Sequence, residues 1–418
     1  MADGTETRSN TGDISYTAGQ DIRFASLVTS LGSVYLAAGN VIVGGSIDSF
    51  GLIDITGNSL SMDMLRTQNN LSLALTGDLD LDVLDVARQL DLDAGGQARI
   101  GTFTVGGAAD VNVGGGLSGQ TMQLGSGNIK AGGELNYATI NSGNLIINAG
   151  SMTFDSLTAP TVTANTGGNI AMGTVNVPTA NFTAGGAIVD NNSRLNVNTL
   201  TMSAGRDIGS SAKPINLNTP TINRITSGGD IYIIQNSPGL SSLGLISAAG
   251  GFDITVPDGG FRNGNGGAVN LQAGASSRLY VHDTVGTWGG DNPITIQVRD
   301  GQMTIEAYNR FVDPANPGRP WMVFEGSLPD DSVFYQGETE IPGLVILNGR
   351  VIAGGSDILR ELYRTQAYEV NNPELKSKQG IFGSPLFITG LTMVNEPVEM
   401  NMLAYLIESQ FEIIREGF

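Results

Sequence analysis

A glycine returns about every 19 residues between Gly19 and Gly228. Each copy lies in a short motif of a small residue, glycine, a polar residue and an apolar run, as in TAGQDI (17–22) and SAGRDI (203–208). A constant interval over this length is typical of a chain that winds into stacked coils. The landmark glycines are Gly19, Gly39, Gly57, Gly77, Gly95, Gly114, Gly132, Gly150, Gly167, Gly185, Gly205 and Gly228.

The apolar residues inside each repeat alternate with polar ones, as in Leu71, Leu73 and Leu75. Period two is the strand period, and 19 residues are too few for a repeat built from two helices, which needs about 33. The sequence therefore predicts an all-β fold, a right-handed parallel β-helix (a β-solenoid) with about 19 residues per coil. We expect the corner glycines to supply positive φ angles and close stacking. Asparagines near the corners should form hydrogen-bonded ladders from coil to coil, at Asn40, Asn58, Asn169 and Asn176.

The composition changes in the C-terminal third. We predict a repeat array over 1–310, a proline-rich connector and β-hairpin over 311–355, and a helical region over 356–418. Asn348-Gly349 between two apolar runs is a type I′ hairpin signal. The last helix has one apolar face, which either caps the final coil or docks the molecule onto a partner. The docking face would be formed by Met400, Leu403, Ile407, Phe411 and Ile414.

Charge and composition exclude several classes of protein. The formal net charge is −19, which disfavours nucleic acid as a partner, and the chain has no cysteine for disulfides or thiolate metal sites. No window is apolar enough for a transmembrane helix. The first ten residues lack the basic and apolar regions of a signal peptide, and the repeats begin almost at once. We therefore expect an export signal upstream, in a longer precursor.

Candidate chemical sites are few. His282 has no nucleophile motif near it and is expected on a strand surface. Asp78, Asp80 and Asp82 alternate along one strand, which suits either a calcium site or a solvated strand face. A polysaccharide-active enzyme would need clustered carboxylates; Asp253, Asp258 and Asp283 are the only candidates that we identify. We predict no cofactor and no enzymatic activity.

The repeats resemble those of filamentous-haemagglutinin-type exoproteins of two-partner secretion. The copies TAGQDI (17–22), NTGGNI (165–170), TAGGAI (183–188) and TSGGDI (226–231) carry this resemblance, which spans roughly residues 10–280. It implies a secreted or cell-surface bacterial adhesin with a β-helical shaft, exported through an outer-membrane secretion partner.

The sequence thus favours an extracellular structural or adhesive protein, a stiff stalk for adhesion, biofilm or cell-surface assembly. Its partners would be host or neighbouring-cell surfaces and their glycans, reached through many contacts at once. Two alternatives stay open. One is a subunit that associates with itself into a filament or sheath, and the other is a β-helical enzyme acting on polysaccharides.

Overall fold

The computed structural model describes residues 6–266, 268–281, 294–300 and 303–307, with four further short strands between 320 and 353. The chain divides into two compact units, of which unit 1 comprises Met1–Ser237 and Gly244–Thr255 and unit 2 comprises Pro238–Leu243 and Val256–Phe418. Every regular element in the described ranges is a β-strand. Among those residues there is accordingly no helix with the length and apolar character to cross a membrane.

Thirty strands are described. The first fifteen are β1 (Glu6–Ser9), β2 (Ile14–Ala18), β3 (Ile22–Thr29), β4 (Val34–Ala38), β5 (Val41–Ser49), β6 (Ile53–Gly57), β7 (Ser59–Thr67), β8 (Leu71–Leu75), β9 (Leu79–Val86), β10 (Leu90–Ala94), β11 (Ala98–Val113), β12 (Leu117–Ser142), β13 (Leu145–Thr158), β14 (Thr161–Thr166) and β15 (Ile170–Ala184). The others are β16 (Ile188–Ala204), β17 (Ile215–Asn218), β18 (Thr221–Ser227), β19 (Ile231–Gln235), β20 (Leu240–Ala248), β21 (Phe252–Val256), β22 (Gly260–Asn263), β23 (Leu271–Ala273), β24 (Ser277–Val281), β25 (Ile294–Val298), β26 (Met303–Ala307), β27 (Pro320–Phe324), β28 (Val333–Gln336), β29 (Leu344–Leu347) and β30 (Arg350–Ala353).

The fold is a parallel β-solenoid of about 14 turns with about 19 residues per turn, as the sequence predicts. Each coil of unit 1 contributes one short run to each of three parallel sheets. In β11 these runs are 98–100, 102–105 and 109–113, and each pairs in register with the coils before and after it. Strands as long as β11 therefore pass around corners and belong to more than one sheet. We call the sheets first, second and third, in this order.

The core is a set of apolar rows that run from coil to coil. At the start of the first sheet, parallel register links Ile22, Ile42, Leu60, Leu79, Ala98 and Leu117. A second run on this sheet links Leu135, Met152, Ile170, Ile188, Ile208, Ile231 and Phe252. All thirteen side chains are buried. Because the side-chain period of a strand is two, burying this position in each coil leaves its neighbours facing outward.

The corner glycines stack directly on one another, and this explains their spacing. A Cβ on Gly114 would collide with the carbonyl of Gly95, and a Cβ on Gly205 with the carbonyl of Gly185. The expected positive φ angles are wrong: the described glycines with positive φ are Gly209, Gly239, Gly259 and Gly266, none of which is a landmark. Close approach of successive backbones, rather than a left-handed conformation, requires glycine here.

Polar side chains join neighbouring coils on the outer surface, which confirms the predicted asparagine contacts. In several corners an Asp or Asn oxygen accepts a hydrogen bond from a backbone N–H one coil further on, as Asp78 does from Gln97 at 2.8 Å. The predicted asparagines make contacts of this kind or with another side chain. The pairs are Asn40–Asp21 at 2.9 Å, Asn58–Thr76 at 3.0 Å, Asn169–Ala187 N–H at 2.8 Å and Asn176–Asn196 at 2.8 Å.

Among the described residues Tyr137 is the largest fully buried side chain, and it spans two coils. Its hydroxyl donates to the carbonyl of Ile100, 37 residues earlier, at 3.1 Å. Gly119 lies in the intervening coil, where a Cβ would collide with the Tyr137 ring. Burial raises the pKa of Tyr137 above its usual value.

The parallel pairing also occurs in unit 2. There β23, β25, β27 and β29 form one parallel series, and β24, β26 and β28 form another. The predicted connector is the proline-rich segment 311–321. Strand β27 begins at Pro320, so the last two residues of this segment belong to a paired strand. The pairing of β29 with β30 is antiparallel and confirms the predicted hairpin. Residues 348–349 and 354–418, with the predicted helices, lie outside the described residues.

Candidate ligand-binding cleft

The three aspartates proposed for calcium are engaged with other groups. Asp80 and Asp82 both bind the guanidinium of Arg99, and Asp82 lies 2.6 Å from its Nη2. The hydrogen bonds that Arg99 donates, first the one to Asp82 and then the one to Asp80, raise the pKa of Arg99. The carboxylate of Asp78 accepts the Gln97 N–H at a corner. In the part of the chain that the structure describes, no three His, Asp or Glu side chains come together as a metal site.

The other predicted site residues are described only in part. Asp253 lies on β21, and Asp258 lies in the segment between β21 and β22. Asp283 and His282 lie outside the described residues, as do the docking-face residues Met400, Leu403, Ile407, Phe411 and Ile414.

An irregularity in the pairing of β15 with β16 indicates a different candidate site in unit 1. Where β15 pairs with β16, the register runs from Met172–Asp190 to Thr174–Arg194. One residue on β15 is therefore opposite three on β16, at 191–193. Such bulges bend a strand and redirect its side chains. Asn192, at the tip, has φ 61° and is the one non-glycine with positive φ in the described ranges.

The bulge is fixed by hydrogen bonds on both sides. The Asn191 amide donates to the Phe154 carbonyl at 3.2 Å and to the Asp155 carboxylate at 3.1 Å, two coils back. The Ser193 N–H donates to Asp190 at 2.6 Å. Because the loop is bonded at its base and over the preceding coil, Asn192 is held in its left-handed conformation.

An asparagine ladder runs beside the bulge on the second sheet. Asn176, Asn196 and Asn218 are register partners in three successive coils. Asn218 donates to Asn196 at 3.0 Å, and Asn196 donates to Asn176 at 2.8 Å. Each amide has two N–H donors and an oxygen with two lone pairs. The ladder therefore uses one donor and one acceptor site of Asn196 and leaves one of each for a ligand.

The next two coils form the far side of the cleft. Residues 209–214 form an extra loop before β17, and Ile208 to Ile231 is accordingly a coil of 23 residues. The buried amide of Gln235 donates to the Thr219 carbonyl, and the Asn236 N–H donates to the Leu217 carbonyl at 2.6 Å. These bonds hold Asn236 against the coil that carries Asn218.

The bulge, the ladder and this coil enclose an open polar cleft of about 990 Å³. We call it the asparagine cleft; its lining is Thr174, Asn176, Asn192, Ser193, Arg194, Asn196, Asn216, Leu217, Asn218 and Asn236. Amides, hydroxyls and one guanidinium dominate this set. Such groups recognise a ligand rich in hydroxyls by hydrogen bonding, and the lining itself carries no carboxylate or imidazole for general acid–base chemistry.

The sequence patterns do not predict this cleft. The run NNS before Arg194 is composed of ordinary turn residues, and its strand context is not visible in a single repeat. The available signal is coil length. The spacing of the first-sheet row rises from 18 residues at Ile170–Ile188 to 20 at Ile188–Ile208 and 23 at Ile208–Ile231, so extra residues accumulate at the cleft.

Comparison of the chain with protein-family models, with curated proteins and with solved structures finds no match in any of the three. The class of the protein, a parallel β-solenoid, therefore rests on its strand pairing and its repeats.

Proposed function

We propose that this protein is a bacterial extracellular adhesive protein, a β-solenoid stalk that binds surface glycans through the asparagine cleft. The observation that carries the proposal is the cleft itself, where hydrogen-bonding groups from successive coils are aligned in register and open to solvent. The resemblance to secreted adhesins supports the same assignment. The protein would then act by binding glycans at a distance from the cell, without chemical turnover.

The stack of coils in unit 1 supports a stalk. Thirteen buried positions follow one another along the first sheet from Ile22 to Phe252. Parallel coils lie about 4.8 Å apart, so the twelve steps between these positions extend unit 1 by roughly 58 Å. Each coil is joined to the next by backbone bonds on three sheets and by outer side-chain contacts, which favours a stiff body.

The test is binding of the fluorescently labelled full chain to an array of immobilised glycans. We expect binding to a subset of glycans, weak for the free chain and stronger when many copies are displayed on beads, because contacts add through multivalency. Asn196→Ala removes the centre of the ladder and should abolish the signal.

The matched control is Asn112→Ala. Asn112 also donates to the preceding coil, to Asp93 at 2.7 Å, but it lies outside the cleft. The Asn112→Ala variant should bind the glycans as the wild type does. Binding to no glycan, or equal loss in both variants, would refute the proposed function.

A further inference from the structure

The asparagine cleft contains one arginine, Arg194. Arg194 is exposed and lies opposite Thr174 at the end of the bulge. Arg8, Arg23, Arg66 and Arg99 each lie within ion-pair distance of a carboxylate. Within the described ranges Arg194 forms no such pair, and neither do Arg206 and Arg224, although acidic residues outnumber basic ones, 40 to 21, in the chain.

The stretch of chain around the cleft is neutral, in contrast to the chain as a whole. Residues 156–189 contain no charged side chain. From 155 to 230 the four cations Arg194, Arg206, Lys213 and Arg224 are balanced by four anions, Asp155, Asp190, Asp207 and Asp230. The whole chain carries −19. A single anionic group is therefore repelled by most of the molecule and least so here.

The cleft lining combines one cation with neutral amides and hydroxyls. A guanidinium presents two parallel N–H groups that match the two oxygens of a carboxylate. The amides of Asn196 and Asn218 offer donors and acceptors that match the hydroxyls of a sugar ring. A sugar that carries a carboxylate uses both kinds of group.

The bulge explains how Arg194 comes to serve the cleft. Without the two additional residues the strand would continue from Asp190 in regular register, and a different side chain would lie opposite Thr174. Ser193, which is buried, accepts the Asn216 N–H at 3.0 Å and so fixes the backbone next to Arg194 to the following coil. The backbone at Arg194 is thereby fixed, while the side chain is exposed to solvent.

We infer that the asparagine cleft binds acidic oligosaccharides and that Arg194 pairs with the sugar carboxylate. This inference rests on the proposed glycan binding and adds the class of glycan. Uronates within a polysaccharide and sialic acid at a glycan end carry the same group, and the experiment separates the two sources.

The experiment measures affinity of the full chain by titration calorimetry with three probes. These are a trigalacturonate, the same trisaccharide with its carboxylates reduced to alcohols, and a trisaccharide that ends in sialic acid. We expect one of the two acidic probes to bind about two- to fivefold more tightly than the reduced probe, which is the gain that an ion pair at an exposed site provides. The preference should shrink as salt is added, because the carboxylate and the guanidinium meet at an exposed site.

Two variants locate the effect. Arg194→Gln should bind acidic and reduced probes equally and should unfold at the wild-type midpoint, because Arg194 is exposed and unpaired in the described residues. Arg224→Gln removes an exposed positive charge nearby, outside the cleft lining, and should keep the preference.

The outcomes are distinct. Equal binding of all three probes, sensitive to Asn196→Ala, would overturn the carboxylate inference and leave the proposed function standing. An acidic preference that survives in Arg194→Gln would overturn the role of Arg194. Absence of binding to any of the three probes overturns the inference, and absence of binding across the whole glycan array overturns the proposed function as well.

Discussion

At the scale of single residues, the repeat is enforced by contact between backbones. The corner at Gly114 approaches Gly95 so closely that a single methyl group has no room, whereas a Cβ on Gly167 would meet only the Gly150 carbonyl at 3.8 Å. Both glycines occupy the same position in the repeat. Substituting each of them therefore shows whether glycine is required for the space that it leaves or for its conformational freedom.

We predict that Gly114→Ala destabilises the protein by about 1–3 kcal/mol through overpacking, since the carbonyl of Gly95 belongs to a hydrogen-bonded coil and cannot move freely. Gly167→Ala should be neutral or slightly stabilising, because it reduces the freedom of the unfolded chain. The measurement is the urea midpoint of each variant. Equal losses in both would contradict the stacking explanation.

Tyr137 gives a pH prediction. Because burial raises its pKa in the folded state, the folded protein holds the phenolic proton above pH 10 while the unfolded chain releases it. This stabilisation is complete below the unfolded pKa of about 10 and is lost as the pH rises beyond it, by up to about 1.4 kcal/mol per pH unit.

Tyr137→Phe removes this term, so its stability should fall less steeply between pH 10 and 11 than that of the wild type. Urea unfolding at a series of pH values measures both slopes. Tyr232→Phe is the control: burial and then Asp230 raise the pKa of Tyr232 as well, but this side chain is partly exposed. A Tyr137→Phe slope equal to that of the wild type would refute the assignment.

At the scale of elements, the regular parts of the fold could be predicted and the irregular part could not. Leu71, Leu73 and Leu75 are buried, as their alternation predicts, because burial at period two is a property of every strand on one sheet face. The bulge at 191–193 depends on pairing with residues one and two coils away. The sequence pattern within one repeat does not identify those partners, and for this reason it does not predict the cleft.

We predict that Asn191→Ala loosens the bulge without disturbing the sheets. The substitution removes the bonds to Phe154 and Asp155 that hold the loop over the preceding coils. Hydrogen exchange at the Ser193 N–H should become faster, and exchange in β14 should stay slow. Asn112→Ala, which removes an inter-coil bond at a regular position, is the control and should leave Ser193 unchanged. Unchanged exchange at Ser193 in Asn191→Ala would show that other contacts fix the bulge.

At the scale of the whole molecule, charge opposes folding. The chain carries −19, and the ion pairs seen in the described residues involve exposed side chains, which contribute little. Compaction brings like charges together, and salt screens them.

We therefore predict that the thermal midpoint rises as sodium chloride is increased from about 10 mM to about 150 mM, a range over which the Debye length shrinks from roughly 30 Å to 8 Å. Differential scanning calorimetry measures the midpoint. Sodium sulfate at equal ionic strength is the control for screening, because sulfate also strengthens hydrophobic burial. A midpoint that falls with sodium chloride would show that attractive pairs outweigh the repulsion.

The direction of the hydrogen bonds in unit 1 has a mechanical consequence. Bonds between coils run along the stack, so a pull on the two ends of the stack loads them one coil after another rather than all together. A coil that peels away releases about 19 residues, which extend to roughly 60–70 Å, from a body in which it occupied about 4.8 Å. A stalk built in this way would lengthen in steps under load, and each step would dissipate energy before the bond between the asparagine cleft and its glycan carried the full force.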